Sequence, residues 1–322
     1  MPGPDPLQTL AGVGEEELLA RIFPYLPGGP GVILGPGDDT ALVAAPGRSV
    51  LATTDAMVRQ RDWRDEWSSG ADVGAKVVAQ NCADIAAMGG VPTGLLVTLV
   101  AEPATRLAWV EDFAAGLGEA ARAAGVPVVG GDLSSAPEGT LVVSVTALGD
   151  LEGREPVLRS GARAGDVVAV AGSLGQSGAG WLLLERGEVD RGRGLVDYHR
   201  RPTPDLAAGR AAAVAGATAM LDVSDGLVRD AGRIGRASGV GLDLDPALLA
   251  VDVAALAPAV GEQEAWRCVL TGGEEHSLLA CFPAGTALPP GWRPLGRVLA
   301  GAGVTVGGVP QGPGGGWDHF GG

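Results

Sequence analysis

Short apolar runs that resemble strands alternate with helical segments along the whole chain, and this alternation limits the fold more than any other feature of the sequence. Runs such as GLLVTLV and TLVVSVTALGD have the length and the β-branched content of strands. Residues 71–88 and 104–124 carry apolar positions at helical spacing, and Gly89-Gly90 ends the first of these segments. Because strands and helices alternate in both halves, we predict an α/β (α+β) fold.

A polar, glycine-containing stretch interrupts this pattern near the middle of the chain. The segment DLEGREPVLRSGARAGD covers residues 150–166 and separates two series of strands and helices. The length of 322 residues exceeds the ~250–300 residues at which a single core stops growing. We therefore predict two domains, residues 1–150 and residues 151–322.

Composition and charge exclude several classes of protein. No apolar run reaches the ~18–20 residues of a membrane span, and the start MPGPDPLQTL is unlike a secretory signal, so we expect a cytoplasmic protein with no membrane partner. The net charge of −15 disfavours nucleic acid as a partner. Lys76 is the one lysine of the sequence and stands in GAKVV, which excludes a Walker-A loop. The three cysteines and three histidines are too scattered for a zinc or disulfide framework.

Carboxylates recur at strand ends that glycine flanks. They are Asp38 and Asp39 in GPGDD, Asp55 in TTD, Asp132 in GGD, Asp222 and Asp225 in DVSDG, and Glu274 and Glu275 in TGGEE. Proteins of the α/β class build ligand sites at such strand ends, where glycine lets the backbone approach a ligand closely. The alternative is that these are solvated turn residues, since Asp and Gly are common in turns.

One pair of these carboxylates can be placed by counting residues. A hairpin turn centred at Gly47 would join TALVAA to SVLATTDA and would set Asp39 opposite Asp55. Two like charges ~5 Å apart repel by about 3 kcal/mol at an effective dielectric constant of 20. A divalent cation between them would reverse the sign, and an incomplete cage of oxygen ligands suits Mg²⁺, which also takes substrate phosphates as ligands. We therefore predict magnesium at this pair.

Two further segments leave alternatives open. In the helix predicted over residues 71–88, Lys76, Gln80 and Asp84 recur every four residues with Asn81 beside them, and this polar stripe either lines a site or faces solvent. The segment AGSLGQSGAG, residues 171–180, is a glycine-rich strand-to-helix turn. It either binds a phosphate at the helix N-terminus or allows close packing of the helix.

The motifs resemble those of a known family. GDDTALV, TTD, NCADIAAMGGVP, GGDLS, RSGARAGD, LDVSDGL, TGGEE and the terminal GWDHF are similar in order and spacing to the motifs of thiamine-monophosphate kinases, from about residue 30 to residue 320. That family shares a superfamily with aminoimidazole ribonucleotide synthetase and selenophosphate synthetase. The resemblance implies two α/β domains, with the N-terminal domain binding metal and ATP and pairing into a β-barrel across a homodimer. The C-terminal domain would complete the active-site cleft.

The resemblance also implies a reaction and a set of site residues. The reaction is transfer of the ATP γ-phosphate to thiamine monophosphate. The Mg²⁺ ligands would be Asp39, Thr53, Thr54, Asp55, Asp84, Asp132, Asp222 and Asp225. The ATP contacts would be Gly131, Asp132, Arg159 and Ser224, with Asp132, Arg159 and Asp222 closest to the chemistry, and the thiamine contacts would be Glu274 and Trp317.

The chain departs from the family at one position. Asp62-Trp63 stands where the family has a histidine followed by an aromatic residue, and that histidine contacts the acceptor substrate. We place Asp62 beside the substrate on this basis, where a carboxylate can accept a hydrogen bond from a cationic ring system but cannot neutralise a phosphate.

The chemistry implied by the resemblance needs no protein nucleophile, because the acceptor is already a phosphate anion. Phosphoryl transfer then depends on positioning and on neutralisation by metal ions and by a cation such as Arg159, whose planar fork binds two oxygens. The alternative interpretation of Arg159 is a surface residue of the linker, and that of Trp317 is a packing anchor of the glycine-rich tail. The alternatives for the whole chain are a superfamily enzyme with another acceptor, or a nucleotide-binding scaffold without catalysis.

Overall fold

Two units make up the chain in the computed structural model, which describes residues 8–10, 15–34, 42–47 and 49–312. The first unit comprises Met1–Ile85 and Pro92–Gly153. The second comprises Ala86–Val91 and Arg154–Gly322. The glycine-containing segment predicted to separate two domains thus lies where the chain enters the second unit.

The first unit contains a two-stranded and a four-stranded β-sheet. Strands β1 (Val32–Leu34) and β2 (Leu42–Val43) pair with each other. Strands β3 (Leu51–Val58), β4 (Val91–Ala101), β5 (Val128–Ser135) and β6 (Leu141–Asp150) form a sheet in the order β3-β6-β4-β5. Strand β3 is antiparallel to β6, and β4 is parallel to β5. Leu141, Val143, Val145 and Ala147 are buried because alternate residues of β6 point to the same face.

Helices of the first unit pack backbone to backbone. They are α1 (Glu15–Ile22), α2 (Gly70–Ala87) and α3 (Leu107–Ala123), and a 3₁₀ helix (Phe23–Tyr25) follows α1. A Cβ atom at Gly74 would lie 2.4 Å from the carbonyl oxygen of Phe113, and one at Gly116 would lie 2.2 Å from that of Ala71. Only glycine at these two positions lets α2 and α3 approach so closely.

The hairpin predicted around Gly47 is wrong. Strand β2 pairs with β1 through Val32 and Val43, whereas β3 pairs with β6, so that Asp55 lies opposite Val145. The eight residues of β3 find a partner of ten residues in β6, whereas β2 has two. The amide of Gly47 donates to Asp150 Oδ2 at 3.2 Å, which ties the turn to the end of β6. Asp39 lies outside the described residues, so its predicted position opposite Asp55 has lost its basis.

The second unit is built on a seven-stranded mixed sheet. Its strands are β7 (Val167–Ala171), β8 (Ala219–Asp222), β9 (Gly241–Leu244), β10 (Leu278–Phe282), β11 (Trp292–Leu299), β12 (Gly303–Val306) and β13 (Val309–Pro310), in the order β13-β12-β9-β11-β7-β10-β8. Strand β12 is parallel to β9, and β10 is antiparallel to both of its neighbours. In the core the rings of Phe282 and Trp292 meet edge to face with centroids 5.3 Å apart.

Six α-helices are described in the second unit. They are α4 (Gln176–Arg186), α5 (Arg193–Arg200), α6 (Leu206–Val214), α7 (Leu227–Ser238), α8 (Pro246–Val260) and α9 (Glu262–Thr271), with a 3₁₀ helix (Val189–Arg191) before α5. The mixed α/β class is thereby confirmed. In the described part of the chain, no helix combines the length and the apolar character that crossing a membrane requires.

Candidate active site

Strand β3 carries three consecutive residues of the predicted metal site. Thr53 and Asp55 are half-buried and Thr54 is exposed, as the alternation of a strand requires. The Thr53 hydroxyl donates to Asp84 Oδ2 on α2 at 2.7 Å, whereas the Thr54 hydroxyl donates to the carbonyl of Val145 at 3.1 Å. The structure thus brings Thr53 and Asp84 together, and it holds Thr54 against β6.

The GGD motif lies on β5. Asp132 is exposed and pairs with Thr98 of β4, and Gly131 pairs with Val97. A Cβ atom at Gly131 would lie 1.9 Å from the Val97 carbonyl oxygen, so this position accepts only glycine. Close approach between neighbouring strands therefore explains Gly131 without reference to a ligand.

The polar stripe of α2 is largely shielded from solvent, since Lys76 and Asn81 are buried and Gln80 and Asp84 are half-buried. Lys76 is 4% exposed and Asn81 is fully buried, which rules out a solvent-facing stripe. The Asn81 side-chain amide donates to the Val77 carbonyl at 2.8 Å, and its Oδ1 has no hydrogen-bond partner among the described residues. Buried polar side chains of this kind are costly and usually serve a site or a network, so the lined-site alternative is the one favoured.

Asp222 ends β8 in the second unit and is 5% exposed. The Nδ1 atom of His276 lies 3.1 Å from Asp222 Oδ2. The next carboxylate of the motif, Asp225, forms a short ion pair with Arg233. Thus Asp222 and Asp225, three residues apart, are held by different partners.

Asp230 fixes the turn between these two aspartates. Its Oδ2 accepts hydrogen bonds from the amides of Ser224 and Asp225 at 3.0 and 2.9 Å, and its Oδ1 lies 2.5 Å from Arg233. Burial, helped by the nearby charges of Asp222 and Asp225, raises the pKa of Asp230 to about 6, against the lowering effects of the Asp225 amide and Arg233. Asp230 and Arg233 were not among the predicted site residues, although they follow the SDG motif at helical spacing on α7.

The backbone adopts an uncommon conformation at the end of the TGGEE motif and at the residue that follows it. Glu274 and His276 have φ values of 58° and 55°, in the left-handed region. Each such residue other than glycine costs on the order of 1–3 kcal/mol. The amide of Glu274 donates to the Ser224 carbonyl at 2.7 Å, and the amide of His276 donates to that of Val223 at 2.9 Å. The structure therefore joins the predicted residues Glu274 and Ser224 through the backbone.

His199 is a further residue that the sequence analysis missed. It is 6% exposed, and its Nδ1 lies 3.0 Å from Ser177 Oγ and 3.6 Å from Glu274 Oε2. A histidine 75 residues away in the sequence gives no local signal of this contact.

The glycine-rich segment 171–180 is occupied by the protein itself. The amide of Ser177, at the start of α4, donates to Glu275 Oε2 at 2.9 Å. A Cβ atom at Gly175 would lie 2.7 Å from the backbone of Cys268, and one at Gly178 would lie 2.9 Å from that of Gly272. Of the two alternatives, close packing of α4 is the one that the structure supports, and an internal carboxylate occupies the helix N-terminus that the other alternative gave to a phosphate.

Of the remaining predicted residues, Arg159 and Asp62 make local hydrogen bonds, and the others lie outside the described residues. Arg159 is exposed, and its carbonyl accepts from Ser238 Oγ at 3.1 Å. Asp62 Oδ2 accepts from the amide of Val58 at 2.7 Å, which caps the turn after β3. Trp317, like Asp39, falls outside the described residues.

The predicted metal ligands come from both units. Asp55, Asp84 and Asp132 belong to the first unit, and Asp222 and Asp225 to the second. Within residues 8–10, 15–34, 42–47 and 49–312, no three His, Cys, Asp or Glu side chains are grouped so as to hold a metal ion.

Comparison with protein-family models finds two consecutive matches. Residues 37–151 match the N-terminal domain of AIR synthase related proteins, and residues 163–287 match their C-terminal domain. The two matches lie on either side of the segment that joins the two units.

Curated relatives match over most of the chain. The chain is similar to the thiamine-monophosphate kinase of Mycobacterium tuberculosis, at 45% identity over 97% of this chain and 93% of the relative. The thiamine-monophosphate kinase of Corynebacterium glutamicum is 38% identical over 81% of this chain and 80% of its own.

Solved structures agree with these relatives. Thiamine-monophosphate kinase from Stenotrophomonas maltophilia superposes with a TM-score of 0.79 at 28% identity, over 92% of this chain and 98% of its own. A complex of AaThiL with AMPPCP and TMP superposes with a TM-score of 0.77 at 32% identity, over 88% of this chain and 91% of its own.

Replacing Arg233 with Met should destabilise the second unit. Arg233→Met removes the cation beside Asp230, which is fully buried, and the loss of a charged partner should lower the free energy of unfolding by about 1–3 kcal/mol. Urea unfolding measures the difference. The control is Arg236→Met on the same helix, where the side chain is exposed and little change is expected. Equal stability of the two variants would show that the ion pair contributes nothing measurable.

Proposed function

The chain belongs to the thiamine-monophosphate kinase family, and on that premise we propose that it transfers the γ-phosphoryl group of ATP to thiamine monophosphate. The products are thiamine diphosphate and ADP. The observation that carries the proposal is 45% identity to a thiamine-monophosphate kinase over 97% of the chain. The AaThiL complex with AMPPCP and TMP supports ATP and thiamine monophosphate as the two substrates. The same relatives favour this acceptor over the other acceptors of the superfamily.

The proposed reaction depends on holding two phosphate groups together. An oxygen of the single phosphate group of thiamine monophosphate is the nucleophile. The protein therefore positions the two substrates and neutralises their charge, and no covalent intermediate with the protein is needed. We assign Gly131, Asp132, Arg159 and Ser224 to ATP. The Arg159 side chain is exposed, which leaves its guanidinium group accessible to a phosphate.

We propose that each unit supplies carboxylates for magnesium. In the first unit the donors are Thr53, Thr54, Asp55, Asp84 and Asp132, together with Asp39, and in the second they are Asp222 and Asp225. All of them offer oxygen, the ligand that Mg²⁺ prefers. The 2.7 Å hydrogen bond from Thr53 to Asp84 places two of these candidate ligands side by side. Magnesium, when bound, supplies neutralisation of the charge on the phosphates.

The thiamine contacts are assigned to Glu274, Asp62 and Trp317. A carboxylate suits the cationic ring of thiamine, and the backbone bond from Glu274 to Ser224 keeps the thiamine contact next to an ATP contact. Asp62 caps its own turn through the Val58 amide, so the substrate role proposed for it has to coexist with that structural one.

The assay that tests this function uses ATP, Mg²⁺ and thiamine monophosphate. We expect ADP and thiamine diphosphate to appear together, and neither to appear when one substrate or the metal is omitted. Asp222→Asn should lower kcat by about 10²–10³-fold, because charge stabilisation in the site is lost. The control is Asp190→Asn, at a side chain that is 94% exposed, and it should leave kcat unchanged. A wild-type protein that makes no thiamine diphosphate would exclude the proposed reaction.

We also propose that the chain forms a homodimer through the sheet of the first unit. On β3, Ala52, Thr54, Ala56 and Val58 are exposed, and the facing residues of β6 are only half-buried. Val58 and Leu96 are 38% and 37% exposed. An open apolar sheet face of this kind usually marks an interface. Two such four-stranded sheets would supply the eight strands of a small closed barrel.

Leu96→Asp should make the protein monomeric, because a charge would be buried in the proposed interface. Sedimentation velocity measures the mass of the assembly. The control is Val214→Asp in the second unit, where the side chain is 70% exposed and the dimer should persist. A wild-type monomer, or a Leu96→Asp variant that remains a dimer, would contradict the proposed interface.

A further inference from the structure

Two left-handed residues, Glu274 and His276, link the end of the TGGEE motif to the proposed site. Glu274, with φ of 58°, is the proposed thiamine contact, and its carboxylate lies 3.6 Å from His199 Nδ1. His276, with φ of 55°, has its Nδ1 3.1 Å from Asp222, a proposed magnesium ligand. Residues other than glycine rarely adopt left-handed φ values unless the surrounding structure holds them in that conformation. Contacts of a neighbouring residue are therefore needed to hold Glu274 and His276 in this backbone conformation.

Glu275, between these two residues, is anchored on three sides. Its side chain is fully buried, Oε1 accepts from the Ser173 hydroxyl at 2.7 Å, and Oε2 accepts from the amide of Ser177 at 2.9 Å. Its carbonyl oxygen accepts from the Tyr198 hydroxyl at 3.1 Å. Buried carboxylates are retained where donors offset the loss of water, and here both donors to the carboxylate come from the 171–180 segment, far away in the sequence.

The same anchor reaches the side chain of Glu274 by a second route. Ser177, whose amide binds Glu275, has its hydroxyl 3.0 Å from His199 Nδ1, and the same ring nitrogen faces Glu274. Backbone and side chain of Glu274 are therefore both tied to the start of α4. The carboxylate of Glu275 thus belongs to a hydrogen-bonded network that includes Ser177, His199 and Glu274.

We propose that Glu275 is a positioning residue, whose buried carboxylate holds the 274–276 turn so that Glu274 meets the acceptor and His276 holds Asp222. This inference rests on the proposed function, which assigns Glu274 to thiamine and Asp222 to magnesium. Glu275 itself touches neither substrate. Its effect on the reaction is indirect, through the two residues that flank it.

Glu275→Gln tests the role with little change of shape. The substitution replaces one acceptor oxygen with an NH2 donor. The Ser173 hydroxyl then has to turn and accept instead of donating, or else the Ser177 amide loses its acceptor, so the network around residue 275 has to rearrange. We expect the KM for thiamine monophosphate to rise by about 10- to 100-fold, by analogy with the loss seen when residues that orient metal ligands are removed. The matched control, Glu264→Gln on α9, removes a carboxylate that binds Arg186 and Arg267 and should leave KM unchanged.

A purely structural role would give a different result. In that case Glu275→Gln would lower the melting temperature, while KM and kcat measured well below it would stay at the wild-type values, and that outcome would overturn the proposal. If Glu275→Gln does not fold, Ser173→Ala removes one hydrogen bond of the anchor and should raise KM in the same direction by a smaller factor.

Hydrogen exchange without substrates separates this inference from the proposed function. In Glu275→Gln the amides of Glu274 and His276 should exchange faster than in the wild type, while the amides of β11 keep their protection. Unchanged exchange at both amides would overturn the positioning role even if the wild type phosphorylates thiamine monophosphate. Faster exchange would support it even if the wild type uses another acceptor, an outcome that would count against the proposed function alone.

Discussion

A carboxylate remains buried only where donors or cations replace the water that it loses. Asp222, Asp230 and Glu275 meet this condition in the second unit, since none is more than 5% exposed and each has a donor or a ring nitrogen within 3.1 Å. The partners arrive from α4, from α7 and from the strained turn before β10. The geometry of the candidate site in this unit therefore depends on how three buried acids are satisfied.

Local sequence patterns predicted the elements and most of the motif residues that these acids belong to. Helices predicted over 71–88 and 104–124 are observed at Gly70–Ala87 and Leu107–Ala123, because apolar spacing and terminal glycines are local signals. Helix α8 was missed, since its apolar residues lie on all sides and give no periodic face. The family resemblance depended on motifs, and identity across the chain confirms it.

Long-range pairing and backbone conformation could not be predicted in this way. The hairpin at Gly47 was wrong because β3 pairs with β6, about ninety residues away, and counting from a turn detects only neighbours. The contacts from His199 to Glu274 and from Glu275 to Ser173 likewise join residues far apart in sequence. The positive φ of Glu274 leaves no trace in composition, because residues other than glycine rarely adopt it.

The proposed function requires that the carboxylates assigned to magnesium in each unit bind the divalent cations of a phosphotransferase. The most direct measurement is a crystal structure with AMPPCP, thiamine monophosphate and Mn²⁺, in which anomalous scattering locates each metal ion. We predict manganese ions about 2.1 Å from carboxylate oxygens, at Asp55 or Asp84 in the first unit and at Asp222 in the second. Manganese bound to the nucleotide with none of these three side chains as a ligand would contradict the claim.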